Sequence, residues 1–344
     1  MRSLLHGRAA LFGLVVGVPL SVVFLWLALR GADLHAVRAV LADADLGFAA
    51  LAVVAIAGVY LGQAVRWRAI ARTPTVPTAR FGEWVVSGVA VNDVLPGRIG
   101  DLLRARWLQV AARIPAGRAL ATVFVDRIFD VLALVIFLAI SLPFVASAEW
   151  LRRIAVGGLV LLIGLGLVLV AARVYTRQKA RDRRGPRGLL RRVARDTLEG
   201  LADPLGRRRG VVLVGISLAA WAMWALAAWL VARAVGLELS PVEAIFVTAV
   251  INLGVAIPSS PGFIGTYQWL GVSALALFGV GTNEALAFAI LMQAVWYVPT
   301  LLVGGALLAR RAVKHMRHSA IGGPQVRARE DVEHDQPEPV FPTT

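Results

Sequence analysis

Long runs of apolar residues alternate with short polar stretches along the chain. Runs of about 20 such residues are long enough to cross roughly 30 Å of hydrocarbon as an α-helix. Six segments of the sequence fit a crossing: 9–29, 46–65, 119–142, 154–172, 210–233 and 285–309. The pattern therefore predicts an all-α, polytopic integral membrane helical bundle.

Two further apolar stretches are interrupted by proline and glycine. The first starts at Phe81, breaks at Pro96 and Gly97, and resumes at Ile99 as a helix with a polar face. The second stretch, 244–283, is broken within 258–262. Because a proline inside a helix removes a backbone hydrogen bond, we expect each stretch to form a re-entrant or broken hairpin.

The order of these segments indicates an internal repeat. Four residues of the first break, Pro96, Gly97, Ile99 and Gly100, recur 165 residues later as Pro261, Gly262, Ile264 and Gly265. The halves 9–142 and 154–309 start from opposite sides of the membrane. This pattern predicts an inverted-topology repeat, which is typical of many secondary transporters.

The composition agrees with a membrane protein. The 344 residues are 58% hydrophobic and 17% charged, which excludes a water-soluble enzyme. The net charge of +15 comes from cations between apolar spans, so it does not indicate nucleic-acid binding. Because the cations concentrate on one side, we predict a multi-pass protein of the cell membrane with both termini in the cytoplasm. The absence of cysteine excludes disulfides and thiolate metal sites.

Three regions follow from this layout. Residues 1–318 form the predicted transmembrane domain. Its basic cytoplasmic linker, 173–209, is either an interfacial helix on an anionic leaflet or a solvated loop. The acidic tail, 319–344, is predicted to be disordered.

Charged residues inside apolar segments cost roughly 2.5–3.5 kcal/mol each, so they normally face a cavity or pair with one another. We expect Arg98 or Arg104 to meet Asp126 or Asp130. The cluster either binds or gates an anionic head group, or its charges only neutralise one another and hold the loop. The predicted head-group site comprises Asn92, Arg98, Asp101, Arg104, Asp126, Arg127 and Asp130.

The second break carries polar but no ionisable side chains. It either hydrogen-bonds a ligand or only shapes a turn between packed helices. The predicted hinge residues of the two breaks are Pro96, Gly97, Pro258, Pro261, Gly262, Gly265 and Gln268. Arg66 is assigned to the loop after the second crossing, and Trp67 to an interface anchor.

No catalytic constellation is recognisable. The five histidines lie outside the predicted spans, and no hydrolase, zinc-protease or nucleotide-binding motif occurs. We predict no catalytic residue, no metal and no cofactor.

The two blocks of residues around the breaks resemble the flippase-like family that includes the membrane region of lysylphosphatidylglycerol synthases. The resemblance covers roughly residues 10–310. In this chain Asp101, Asp126 and Gln268 stand where the family commonly has Glu, and Phe263 stands where a second Gly is usual.

The resemblance implies movement of an aminoacylated or glycosylated lipid between leaflets, with anionic or lipid-linked membrane lipids as partners. It does not imply synthesis, because only about 35 residues follow Ala309 where the synthases have a soluble domain. One alternative is a glycosyltransferase that uses polyprenyl-phosphate sugars, with Asp43 and Asp45 as its acidic residues. Another is a non-catalytic partner of a lipid-modifying enzyme.

Overall fold

The computed structural model describes residues 18–95, 98–145, 207–255 and 260–321. Within these ranges the chain is helical and contains no strand, which confirms the all-α prediction. The helices are α1 Val18–Leu29, α2 Leu34–Ala42, α3 Leu46–Ala71, α4 Thr78–Val94, α5 Ile99–Ala112, α6 Ala116–Ser141, α7 Arg207–Ala234, α8 Pro241–Gly254, α9 Thr266–Ala276 and α10 Thr282–Ile321. The short 3₁₀ turns are Leu142–Phe144 and Pro261–Phe263.

Three described helices are long and apolar enough to cross a membrane: Leu46–Ala71, Arg209–Ala234 and Thr282–Lys314. Helices α1 and α2 form a pair bent by 83° that could supply a fourth span. Helix α6, predicted as a crossing, has 26 residues but carries four charges. The predicted crossing 154–172 lies outside the described residues. The number of six crossings therefore stays a prediction.

Both interrupted stretches form helical hairpins. In the first hairpin, α5 folds back on α4 so closely that a Cβ on Gly100 would collide with the carbonyl oxygen of Gly88. In the second, α9 folds back on α8, and Gly254 faces Leu270. The predicted broken hairpins are thus present, with glycine at the point where the two helices meet.

Helices α3–α6 and α7–α10 repeat one arrangement of a long helix, a hairpin and a closing helix. Helices α3 and α7 pack side by side in opposite directions. Asp45 N donates to Ala234 O at one end of the pair, and Arg209 Nη2 donates to Ala69 O at the other. Helix α4 packs on α10, and α8 packs on α6, so each hairpin rests on the closing helix of the other repeat. The antiparallel α3–α7 pair and the reciprocal packing of the hairpins agree with the predicted inverted repeat.

Local sequence signals set the helix starts. Asp45 caps α3, since its carboxylate accepts from the backbone N–H groups of the first turn. Ser240 and Glu243 form a capping box ahead of α8, with Pro241 at its first position. Helices α4 and α6 each follow a proline in extended conformation.

The predicted linker and tail are mostly outside the described residues. Within 173–209, only the last three residues are described, and they open α7. Within 319–344, the first three residues continue α10 to Ile321. These three residues are helical rather than part of a disordered tail.

The close approach of α3 and α7 predicts a steric effect at Gly62. A Cβ on Gly62 would lie 2.8 Å from Ala220 Cβ, whereas a Cβ on Gly215 would meet nothing within 4 Å. We expect Gly62→Val to lower the thermal unfolding midpoint of the purified protein, because overpacking costs about 1–3 kcal/mol. The matched control, Gly215→Val, should leave the midpoint near that of the wild type. Equal midpoints for the two variants would contradict this packing.

Candidate functional site

A fully buried arginine of α3, Arg66, forms the centre of a charged network inside the bundle. Its Nε donates to Asp126 Oδ1 at 2.8 Å, and its Nη2 donates to Asp130 Oδ1 at 2.7 Å. Its Nη1 donates to Ser217 Oγ of α7 at 3.1 Å. The two aspartates lie one turn apart on α6, so one guanidinium bridges both carboxylates. Arg66 therefore ties α3 to α6 and α7.

Two more arginines and one more aspartate complete the network. Arg104 Nη2 donates to Asp126 Oδ2 at 3.1 Å, and Arg104 Nη1 lies 3.5 Å from Asp101 Oδ1. Arg127 donates to Asp101 Oδ1 and to Asp130 Oδ2, both at 3.1 Å. Together with the α3 arginine, three guanidinium groups face three carboxylates. The network is formally neutral, as buried charges require.

Aromatic side chains surround the network. The guanidinium carbon of Arg104 lies 4.3 Å from the ring centre of Trp67, a cation–π contact. Trp221 Nε1 donates to Asp130 Oδ1 at 3.1 Å. Trp67 is fully buried and donates to Thr122 Oγ1, so its assignment as an interface anchor is wrong. The two indoles cover part of the network, and the indole of Trp221 adds one donor to it.

Five of the seven predicted head-group residues belong to the network: Asp101, Arg104, Asp126, Arg127 and Asp130. Of the two arginines expected to meet Asp126, Arg104 does so. Arg98 is exposed and makes no ion pair with the carboxylates of the described residues. Asn92 Oδ1 accepts from Gly100 N at 2.7 Å and caps the first turn of α5.

The apolar pattern of the sequence does not identify the central cation. The apolar run ends at Val65 and thus predicts a loop at Arg66, whereas α3 continues to Ala71. Arg66 can be buried at this point of α3 because two carboxylates of α6 neutralise its charge. The signal in the sequence was the spacing of Asp126 and Asp130, which lets a single guanidinium bind both.

The first break leaves two charged residues outside the network. Arg98 precedes α5 in the left-handed conformation, with φ 53°. Asp93, in the last turn of α4, is only 2% exposed, and its Oδ2 has no hydrogen-bond partner among the described residues. Three predicted hinge residues lie outside the described part of the chain: Pro96, Gly97 and Pro258.

The second break is held by side-chain amides. Gly265 N donates to Gln268 Oε1 at 2.7 Å, Gln268 Nε2 donates to Gln293 Oε1, and Gln293 Nε2 donates to Gly262 O at 2.6 Å. Pro261 opens the 3₁₀ turn, and both glycines have positive φ. These contacts favour the turn-shaping role for the break. An amide suits the position of Gln268 because it both accepts and donates.

The two breaks meet at Tyr297 of α10. A Cβ on Gly262 would lie 3.0 Å from Tyr297 Cε2, so the ring packs directly on this turn. The Tyr297 hydroxyl lies 3.5 Å from the carbonyl oxygen of Asp93, on the other break. Asp93, whose Oδ2 has no partner in the part of the chain that the structure describes, therefore lies at the junction of the two hairpins.

Equivalent positions of the two breaks share a backbone conformation but differ in chemistry. Arg98 and Phe263 are 165 residues apart, and both have positive φ, 53° and 59°. Left-handed backbone costs a residue with a side chain roughly 1–2 kcal/mol relative to glycine. The repeat thus preserves the turn and places a cation at one break and an aromatic ring at the other.

These features define a helical membrane protein in which two broken hairpins of a repeat meet beside a buried, neutral charge network. The sequence profile of the family described as "Lysylphosphatidylglycerol synthase TM region" matches residues 11–304. The chain belongs to this family, which confirms the resemblance predicted from the two breaks.

Two curated archaeal proteins are similar to the chain. It is 29% identical over 338 residues to "Glycosyltransferase AglD" of Haloferax volcanii, an alignment that covers 86% of this chain and 54% of AglD. It is 24% identical over 225 residues to "UPF0104 membrane protein MJ1078" of Methanocaldococcus jannaschii, covering 63% of this chain and 92% of that protein. The chain thus spans about half the length of AglD.

The network predicts that substitutions of its charged residues change the free energy of unfolding in a non-additive way. Arg66→Gln should lower the free energy of unfolding by about 3–5 kcal/mol, because it leaves buried carboxylates uncompensated. Adding Asp130→Asn restores neutrality, so the double variant should lose less than the sum of the two single losses. The exposed Arg38→Gln serves as the control and should change stability little. Denaturant titration of the purified protein in detergent measures these values, and additive losses would contradict the network.

Proposed function

We propose that this protein translocates, or assists in translocating, a polar-headed lipid between the leaflets of the cell membrane. The observation that carries the proposal is the junction of the two hairpins. There Asp93 is buried, with no hydrogen-bond partner for its Oδ2 among the described residues, and it lies five positions before the exposed Arg98. The charges of the neighbouring network are already paired with one another.

The paired charges favour a holding role for the network. Asp126 accepts from both Arg66 and Arg104, and Asp130 from Arg66 and Arg127. Their mutual neutralisation fixes α5 against α6 and α3. The cluster was expected either to hold the loop or to bind a head group. The network residues take the first role and form a rigid wall. Arg98 takes the second role and supplies the cation for the head group.

Arg98 suits a lipid phosphate. It is exposed at the break, and a guanidinium presents a planar fork that matches phosphate oxygens. The network holds α5 in place, so the position of this arginine is fixed by the fold. The break itself removes helical hydrogen bonds, which provides further polar backbone groups.

Asp93 suits the other end of an aminoacylated head group. A buried carboxylate oxygen without a partner is costly, and a bound ammonium or hydroxyl group would satisfy it. The family of the chain supports a lipid of this kind, since it is named for the membrane region of lysylphosphatidylglycerol synthases. Glycosylated lipids offer hydroxyl donors for the same oxygen.

Glycosyl transfer from a lipid-linked sugar is a second candidate, favoured by the similarity to a protein named glycosyltransferase. The activity in that name belongs to a protein about half of which lies outside the alignment. Of the two acidic residues considered for this activity, Asp45 accepts from Gly47 N and Phe48 N as the cap of α3. Its carboxylate is thus engaged in a structural role, and the junction geometry supports translocation better.

Substitution of Arg98 tests the proposal. Arg98→Gly removes the guanidinium and relieves the left-handed backbone, so folding should be preserved. In vesicles reconstituted with lysylphosphatidylglycerol, transfer to the outer leaflet is measured by an amine reagent that cannot cross the membrane. We expect transfer to fall about tenfold or more, because a hydrogen bond to a charged group contributes about 1.5–3 kcal/mol.

The control is Arg106→Ala, which removes an exposed arginine from α5, the helix that Arg98 precedes, without weakening that helix, and it should retain transfer. Unchanged transfer in a folded Arg98→Gly variant would contradict the proposed role of this residue. Transfer of sugar from a polyprenyl-phosphate donor by the purified wild type, without lipid translocation, would instead support the glycosyltransferase.

A further inference from the structure

Asp93 is a buried carboxyl group, and no cation among the described residues pairs with it. Four elements pack on its helix, α4: these are α3, α5, α10 and the turn of the second break. Helix α3 brings Tyr60 and α10 brings Tyr297, and both phenols interact electrostatically with the carboxyl group. On α5, Asp101 and Arg104 pair within the charge network, and the turn carries no ionisable residue. The described surroundings of Asp93 therefore offer hydroxyl groups but no counter-charge.

A carboxyl group in such surroundings favours its neutral form. Transfer of an ionised carboxylate into an apolar interior is so unfavourable that the group takes up a proton instead. Hard metal ions such as Ca²⁺ and Mg²⁺ require about six or more oxygen ligands. The described residues contain no group of three or more His, Cys, Asp or Glu side chains that could hold a metal ion. A proton needs no such set of ligands, so it is the cation that suits Asp93 in the absence of a head group.

Two hydroxyl groups lie between α3 and α10 near Asp93. Tyr60 and Thr300 approach each other with their side-chain oxygens 2.6 Å apart. Thr300 Oγ1 donates to the carbonyl oxygen of Trp296, so the Tyr60 hydroxyl is the donor in the first contact. Thr300 lies one turn after Tyr297, whose hydroxyl is 3.5 Å from the carbonyl oxygen of Asp93. The hydroxyl pair thus lies one helical turn from the junction of the hairpins.

Two further polar side chains, Gln63 of α3 and Ser87 of α4, lie one turn beyond the hydroxyl pair. Each is one turn from the contact between Trp67 and Trp84, whose ring centres are 6.0 Å apart, so both side chains lie where α3 faces α4. Ser87 also packs on α10, since a Cβ on Gly304 would lie 3.5 Å from its Cα. We call the four residues the polar column: Tyr60, Thr300, Gln63 and Ser87.

Two atoms of the polar column are buried without a described partner. Gln63 is 7% exposed and Ser87 is fully buried, and neither Gln63 Oε1 nor Ser87 Oγ has a hydrogen-bond partner among the described residues. Buried polar atoms are nearly always hydrogen-bonded, so these atoms indicate positions for buried water. Hydroxyl groups and water both donate and accept hydrogen bonds, which is the property that a proton relay requires.

The polar column reaches the protein surface at its other end. Glu83 lies one turn before Ser87 on α4, and its side chain is 33% exposed. Arg311 of α10 donates to Glu83 Oε2 at 3.1 Å and is 25% exposed. This ion pair lies near the loop after α3, whose flanking cations predict the cytoplasmic side. The column therefore leads from the hairpin junction towards the predicted cytoplasm.

We propose that Asp93 carries a proton in the ligand-free protein and that the polar column conducts this proton to and from the cytoplasm. The inference rests on the proposed translocation and adds its ion coupling. When an ammonium head group binds, the O–H bond of Asp93 breaks and the proton leaves along the column. The carboxylate then pairs with the ammonium. One positive charge replaces another at the junction, so translocation exchanges a head group for a proton.

Infrared spectroscopy of the purified full chain in detergent tests the proton site without any transport. A protonated carboxyl group has a C=O stretching band that is distinct from the bands of carboxylates. At neutral pH, we expect the wild type to show such a band and Asp93→Asn to lose it. The control, Asp43→Asn, replaces an exposed aspartate and should keep the band. Addition of lysylphosphatidylglycerol to the wild type should remove the band, because the head group displaces the proton.

Exchange into D₂O tests the polar column, since the band shifts when deuterium replaces the proton. Gln63→Leu and Ser87→Ala should each slow this exchange about tenfold, the kinetic effect of one lost hydrogen bond. The matched control, Ser273→Ala, removes a hydroxyl group from α9, outside the column, and should exchange at the wild-type rate.

Three results would overturn the proposal. These are a spectrum without an Asp93-dependent band, equal exchange rates in the column variants and the control, and a band that persists when the lipid is bound. Asp93→Asn has the shape of the neutral acid and should fold. If it does not, Asp93→Glu should shift the frequency of the band and identify it. Arg98→Gly should abolish lipid transfer but keep the band of the ligand-free protein, so failure of the proton site and failure of translocation are distinguishable.

Discussion

Neutralisation of buried charge is the constraint on which the rest of the structure depends. An arginine inside an apolar bundle is tolerated only with carboxylates in contact, and Arg66 obtains two from α6. The same aspartates then receive arginines from α5 and α6, so the first hairpin is fixed to the long helices by charge. Hydrophobic packing alone specifies orientation less strongly in a membrane, because lipid tails are as apolar as the side chains.

The two halves of the chain share a backbone arrangement and differ in the side chains at their breaks. Both breaks use a left-handed residue at the equivalent position, and both hairpins pack on the closing helix of the other half. At the first break charged groups remain, since Arg98 is exposed and the buried Asp93 has no described partner for its Oδ2. At the second, the amides of Gln268 and Gln293 satisfy the backbone. In the proposed function, a polar-headed lipid would therefore contact charged groups of the first hairpin and uncharged groups of the second.

Features that depend on nearby residues could be predicted from the sequence. The apolar runs predicted α3, α7 and α10, and the Pro-Gly pairs predicted where the hairpins break. Contacts between residues that are distant in the sequence could not be predicted from it. Arg66 and Asp126 are 60 positions apart, and their pairing explains how a charged side chain is buried directly after Val65. The role of Gln293 had no local signal, since an amide in an apolar helix gives no indication of the carbonyl that it will bind.

We propose that the two hairpins enter the membrane from opposite faces and meet inside it. Exposed residues in the loops that lead into them, Thr75 and Glu238, lie at opposite ends of the α3–α7 pair. Because the chain has no cysteine, Thr75→Cys and Glu238→Cys each give a single label site. Labelling with a membrane-impermeant maleimide should modify the two cysteines from opposite sides of oriented vesicles. Modification of both cysteines from one side would contradict the opposed entry of the two hairpins.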